Sequence, residues 1–243
     1  MRIALGVLLF ACVSSGTAHA GRSFFGWLEG TEVMPERGVE LQTWVFEENE
    51  KYGTDAKDTW LWWGPVVGIT DRLELQLPIE AEWSQADDGT TRFTVRRFGA
   101  GVRYRLVSAD PVEAPPLVPL VSVSVKRDIR ERDDVHIEAG GAVSYEVGAV
   151  QALASVGFVG DFQSSAQHSE LRPGGGVSVA VTSELRLGGE IYSELSFDNK
   201  SESWAAIGPN LSWTHGRFWV SGAFGIGLYH VQTAPRVMWG IAF

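Results

Sequence analysis

The chain has 243 residues, 44% of them hydrophobic and 21% charged, with 20 basic against 30 acidic side chains and a formal net charge of -10. No apolar run reaches the ~20 residues a membrane helix needs, and an aromatic share of 11% with charge spread along the chain is unlike a disordered polymer. So acidic a protein is a poor match for nucleic acid, and no nucleic-acid partner is expected.

Residues 1–20 read as a signal peptide. Arg2 is the positive start, an apolar stretch follows, and Ala18-His19-Ala20 is a small-x-small cleavage site. The apolar stretch is too short to span hydrocarbon. Cleavage after Ala20 removes Cys12, the single cysteine. Disulfides, thiolate metal sites and a cysteine nucleophile are thereby excluded, and no cofactor is expected.

After a short segment, 21–37, strand signals recur to the last residue. Twelve are expected, at 38–48, 58–69, 72–83, 91–107, 116–127, 134–147, 149–162, 174–181, 184–197, 203–214, 217–229 and 235–243. The clearest is RLELQLPIEAEW. Leu73, Leu75, Leu77, Ile79, Ala81 and Trp83 share one face; Glu74, Gln76, Pro78, Glu80 and Glu82 share the other. A helix would scatter both sets around its circumference.

The connections alternate. One set is tight: Thr70-Asp71, Gly148, Thr182-Ser183, His215-Gly216, with a Pro-containing link at 108–115 as the exception. The other is longer and polar: 49–57, 84–90, 128–133, 163–173, 199–202 and 230–234. Trp60, Trp63, Trp83, Phe93, Phe162, Phe197, Trp204 and Tyr229 lie near the polar-loop ends, and Tyr104, Tyr145, Trp213, Phe218 and Phe243 near the turn ends. Two aromatic belts, short turns at one end and longer loops at the other describe a transmembrane barrel with periplasmic turns and extracellular loops. In lipid every backbone N–H and C=O must be satisfied internally, so a spanning sheet must close.

The expectation is therefore an all-β, closed antiparallel transmembrane β-barrel of about twelve strands. A signal peptide (1–20) and a short periplasmic segment (21–37) precede the barrel (38–243), and the compartment is the bacterial outer membrane. The chain ends PRVMWGIAF, with Val237, Trp239, Ile241 and Phe243 alternating. This resembles the C-terminal signature by which the outer-membrane assembly machinery recognises its barrels, so that machinery and outer-membrane lipids are the expected partners. VGITDRLELQLPIEAEW, FGAGVRYRLV and TSELRLGGEIYSEL together resemble the phenol-degradation meta-pathway (transporter-like) outer-membrane family. Asp71 and Arg72 match a tight turn of that family, and Ser183 and Glu184 hold the analogous place. The resemblance implies a passive, porin-like transport role for a small-molecule solute and carries over no catalytic residue.

With the apolar face toward lipid, the interior is expected to hold Glu74, Glu80, Glu82, Arg97, Arg103, Arg105, Glu138, Arg186, Glu190, Tyr192 and Glu194, with Glu80 diagonal to Arg97 and Glu74 diagonal to Arg103. Barrels of about eight strands are filled and those of about sixteen hold a channel. Twelve leaves open a small pore or a non-conducting structural or interaction barrel. A lipid hydrolase is the third reading. Ser164, Ser165, His168, Ser169 and Glu170 supply the residue types on an expected loop, but nothing in the sequence fixes a base beside a nucleophile, so no enzyme is expected. A soluble β-sandwich would alternate in the same way, yet would not need the two belts or the terminal Phe243.

Overall fold

The computed structural model describes residues 23–51, 57–85, 90–108, 115–131, 133–163 and 167–243. The expected signal segment and the serines Ser164 and Ser165 lie outside the described residues.

Among the described residues twelve strands run antiparallel to their neighbours: β1 (Val39–Asn49), β2 (Lys57–Thr70), β3 in two halves (Leu73–Gln76 and Ile79–Gln85), β4 (Thr91–Arg105), β5 (Leu117–Asp128), β6 (Val135–Val147), β7 (Val150–Phe162), β8 (Gln167–Ala180), β9 (Leu185–Ser196), β10 (Trp204–His215), β11 (Phe218–Tyr229) and β12 (Thr233–Ala242). Each pairs with the next, and β1 pairs with both β2 and β12, so the sheet closes into a barrel with no free edge. The closing register sets Glu40 against Ala242 and Phe46 against Arg236.

Both halves of β3 pair with β2 and with β4. They are one strand broken at Leu77-Pro78, where proline has no N–H to give to the ladder. The Leu77 amide instead donates to Pro65 O at 3.0 Å, and Pro78 O accepts from Gly99 at 3.1 Å. The turns at Thr70 and Thr182 are built alike. Thr70 Oγ1 accepts from the Arg72 and Leu73 amides at 3.3 and 3.1 Å, and Thr182 Oγ1 from those of Glu184 and Leu185 at 3.1 and 3.0 Å. Gly148 and Gly216 occupy the tightest turns at φ of 58° and 57°, a region glycine enters without strain.

The largest departure from the sequence expectation is β8. It begins at Gln167 rather than 174, so His168, Ser169 and Glu170 sit on a strand paired with Asp161, Gly160 and Val159 of β7. Pro173 and three glycines mask the period-two pattern, but they occupy a wall where small residues are needed.

The outer face is apolar. Val121, Val123 and Val125 of β5, Leu187 and Ile191 of β9, and Phe224 and Ile226 of β11 are each more than 40% exposed. A water-soluble monomer does not carry a continuous girdle of this kind. The belts hold with two corrections. Trp63, Trp83, Phe93, Phe162, Phe197 and Tyr229 point outward, but Trp204 is fully buried, and Trp60 lies inside, 6.4 Å from Phe46. Interior aromatics are therefore more numerous than expected.

Candidate functional site

The candidate site is the lumen, and its most consequential feature is the N-terminal segment. Residues 23–37, read from sequence as a periplasmic lead-in, pack inside the turn end of the barrel. The segment begins at Ser23, whose carbonyl accepts from Ser212 Oγ (3.2 Å) and Ser221 Oγ near that end. It rises to Trp27 and Leu28, then descends past Met34 to Arg37, whose amide donates to Gly68 O at 3.0 Å. Phe25, Trp27, Leu28, Val33 and Met34 are all buried. Each such side chain contributes about 1.5–3 kcal/mol by leaving water.

The barrel wall is shaped to receive it. A Cβ on Gly176 would lie 2.7 Å from the Phe25 ring, and one on Gly174 2.3 Å from a Leu28 methyl. Gly26 in turn approaches the wall backbone, where a Cβ would lie 2.4 Å from the Ala223 nitrogen. Gly174 and Gly176 are sockets for side chains of the segment, which explains glycine at these positions of β8.

Two of the expected lumen carboxylates hold the segment. Glu190 accepts from three consecutive amides, Gly26 (2.7 Å), Trp27 (3.0 Å) and Leu28 (3.1 Å). Glu74 accepts from Met34 N at 2.6 Å and from Arg103 at 2.8 Å, and Arg103 also donates to Gly30 O. An anion facing a run of N–H groups makes charge-assisted bonds, the strong kind. Trp27 Nε1 donates to Ala234 O at 2.9 Å, and Gln151 reaches Glu32 at 3.1 Å. Between segment and wall remains a cavity of about 20 Å³, room for one water.

Above Trp27, Leu28 and Glu29 a larger cavity of about 390 Å³ extends to Lys51 and His168 at the loop end. One side is aromatic. Trp44 and Trp62 stack at 4.4 Å, Phe46 lies over Trp60, and Trp27 stacks on Tyr192 at 4.9 Å with its edge toward Trp204. The other side is a belt of ion pairs. Lys126 joins Glu80 (2.5 Å) and Glu138 (2.8 Å), His136 bridges Glu138 (3.0 Å) and Asp161 (2.6 Å), and Arg97 joins Asp161 (3.1 Å). Arg172 continues the belt to Glu170 (2.5 Å) and Glu194 (3.3 Å), and Lys51 links Glu194 (3.3 Å) to Glu48 (2.5 Å). The most buried of these charges, such as Lys126, persist because each has a partner of opposite sign.

The eleven expected lumen residues thus fall into separate places. Glu80, Arg97, Glu138, Tyr192 and Glu194 border the large cavity. Glu74, Arg103 and Glu190 serve the N-terminal segment. Arg186 sits at the turn end, bonded to Ser178 and lying over Phe24 at 4.4 Å. Arg105, on the same end of β4, is half-buried, and Glu82 faces Arg96 at 3.6 Å. The expected diagonal pairs are instead directly opposite: Glu80 with Arg97 and Glu74 with Arg103. A bulge at Glu80/Ala81 shifts the register of β4 and turns both Arg96 and Arg97 inward. Strict alternation hides Arg96 for that reason. Nothing in the sequence distinguishes Asp161, and Glu170 and Arg172 fall within 163–173, which reads as a polar loop rather than as lumen wall. Trp27 and its neighbours did carry a signal, since SFFGWL is too apolar for a segment left in water.

The hydrolase constellation is not assembled among the described residues. His168 faces carboxylates, Glu170 at 3.6 Å, Asp198 at 3.7 Å and Glu202 at 3.8 Å, while Ser169 gives its hydroxyl to Asp198.

The sequence matches no protein-family profile and no curated protein. In three dimensions the chain is similar to an outer membrane channel from Pseudomonas putida F1, with a TM-score of 0.59 at 12% identity over 89% of this chain and 99% of that one. It is also similar to the translocator domain of autotransporter NalP from Neisseria meningitidis (TM-score 0.53, 12% identity, 85% of this chain and 88% of that one). The KdgM porin in complex with disordered oligogalacturonate gives a TM-score of 0.52 at 12% identity over 85% and 99%. At such identities the likeness is one of fold. The fold is that of the bacterial outer-membrane β-barrels.

Proposed function

We propose that the protein resides in the bacterial outer membrane, exported by the signal peptide at 1–20, and passes small solutes through a lumen whose inner half is occupied by residues 23–37. The observation that carries this reading is the 390 Å³ cavity, which runs from the loop end down to Trp27 and Leu28 and has charged and aromatic walls. A structural barrel has no need of such a space, and a wide pore would have no seated segment. The segment is held by side chains and a few amides, while the wall is held by a continuous ladder, so the two can separate without opening the barrel. Refolded protein in planar bilayers is expected to give small unitary currents. Silence from both the intact chain and a chain lacking 21–37 would favour the non-conducting structural barrel, the reading that the filled inner half otherwise supports.

The hairpin likeness to the phenol-degradation meta-pathway family is supported by the matched Thr70 and Thr182 turns. Recognition by the barrel-assembly machinery is supported by the outward alternation of Val237, Ile241 and Phe243, with the Phe243 amide donating to Val39 O at 2.9 Å. Deleting Phe243 is expected to lower the amount inserted in cells while leaving refolding in detergent intact; equal insertion would count against that role. We read the barrel as non-enzymatic. Lipid hydrolysis by the wild type that is lost in His168→Ala would contradict this.

A further inference from the structure

The cavity's charges balance in pairs with one exception. Every carboxylate on its wall has a cation within 4.0 Å: Glu29 has Arg103, Glu48 has Lys51, Glu80 has Lys126, and the remainder belong to the belt described above. The wall cations are paired in the same way, apart from Arg236 of β12. Among the described residues no carboxylate comes within ion-pair distance of it. Its Nη1 donates to Trp27 O at 3.3 Å, and its buried Nε meets no acceptor among the described residues.

Arg236 is 8% exposed and borders the cavity. Three rings surround the guanidinium, with Trp44 at 4.9 Å and Trp27 and Phe46 each at 5.3 Å. Rings over a cation offset part of its desolvation but supply no acceptor for its N–H groups. A buried polar donor left without an acceptor is costly, and a ligand oxygen that satisfied it would bind with that cost relieved. The planar fork of arginine matches a carboxylate.

We propose that Arg236 is a docking group for a small organic monocarboxylate, its carboxylate against the guanidinium and its body against Trp44 and Phe46. The proposal rests on the reading that solutes enter this lumen. The paired belt sets the charge of the ligand. A second anionic group on the solute would meet cations already neutralised by their own carboxylates, so a monoanion is favoured over phosphate or a polyanion.

Benzoate and its neutral isostere benzamide, titrated against the detergent-solubilised full-length protein with tryptophan fluorescence as readout, test this. Trp27 and Trp44 lie beside the guanidinium and report occupancy. Benzoate is expected to bind at least about tenfold more tightly than benzamide. That preference is expected to vanish in Arg236→Gln and to survive in Glu82→Gln, a carboxylate outside the cavity wall. Equal affinity for the two probes in the wild type, a preference retained in R236Q, or inorganic phosphate binding as tightly as benzoate would overturn the proposal. The wild-type comparison stands even if R236Q does not fold. Bilayer silence with selective benzoate binding would sink the pore and leave the docking site.

Discussion

A chain lacking residues 21–37 is expected to form a closed barrel whose unitary conductance is about threefold or more above that of the full chain. The ladder that closes the barrel begins at Val39, paired with Val67 of β2, and joins Glu40 to Ala242, so the closing ladder uses none of the missing residues. The side chains of Phe25, Leu28 and Met34 leave the inner half, and the floor of the 390 Å³ cavity goes with them. Glu190 loses three amides but is then free to take water, and Arg103 keeps Glu74 at 2.8 Å. Planar-bilayer recordings of both proteins measure the difference. Identical conductance would mean that the segment does not obstruct the path; loss of the compact, heat-modifiable form on gels would mean that the segment is part of the wall's stability.

Glu190→Gln should loosen the segment without removing it. The carboxylate serves three amides between 2.7 and 3.1 Å, and the amide side chain keeps one acceptor oxygen while placing an NH₂ against the remaining donors. Charge-assisted bonds of this type are worth about 1.5–3 kcal/mol each, and leaving a buried N–H unmet costs about 1–3 kcal/mol. Faster hydrogen exchange at Gly26, Trp27 and Leu28, by about tenfold to a hundredfold, is the expected result, since about 1.4 kcal/mol is a factor of ten. Exchange in the wall strands should be unchanged. If protection at these amides is unaltered, Glu190 is not what holds the segment. The prediction differs in kind from one made for a selectivity ring, where Glu190→Gln would alter ion preference and leave these amides alone.

The barrel was legible because lipid imposes a strict rule. Period-two alternation in RLELQLPIEAEW and in the strand ending at Val147 survives in the structure, since every second side chain must be apolar where acyl chains press on it. Where the rule is relaxed, legibility fails. Gln167–Pro173 continue β8 although His168 and Glu170 made them resemble a loop, because a strand that emerges beyond hydrocarbon can be polar on both faces. Trp60 and Trp204 look like belt residues and are interior, because the lumen here is lined with rings as well as charge. Arg96 faces inward only through the bulge opposite Glu80/Ala81, which no alternation pattern announces.

The site was half legible. Side-chain type and alternation placed Glu74, Glu80, Arg103 and Glu194 on the inner face, but not their roles. Whether an inward carboxylate lines a path, pairs with a neighbour or holds a segment depends on what else enters the lumen. Residues 23–37 enter through apolar burial and a few wall contacts, neither of which has a repeat to be read. Arg236 is hidden for a related reason, as its distinction is that no carboxylate among the described residues pairs with it in three dimensions.

The outward apolar face is tested most directly by nitroxide labels placed one at a time at residues 121 to 125 of β5, in a chain whose lone cysteine lies in the expected signal segment. With the protein in lipid bilayers, labels at Val121, Val123 and Val125 should collide freely with oxygen dissolved in the hydrocarbon and be shielded from a polar relaxation agent. Labels at Ser122 and Ser124 should lose that oxygen accessibility. Uniform access of the polar agent at all five positions, with no period of two, would contradict a barrel that turns this face to acyl chains.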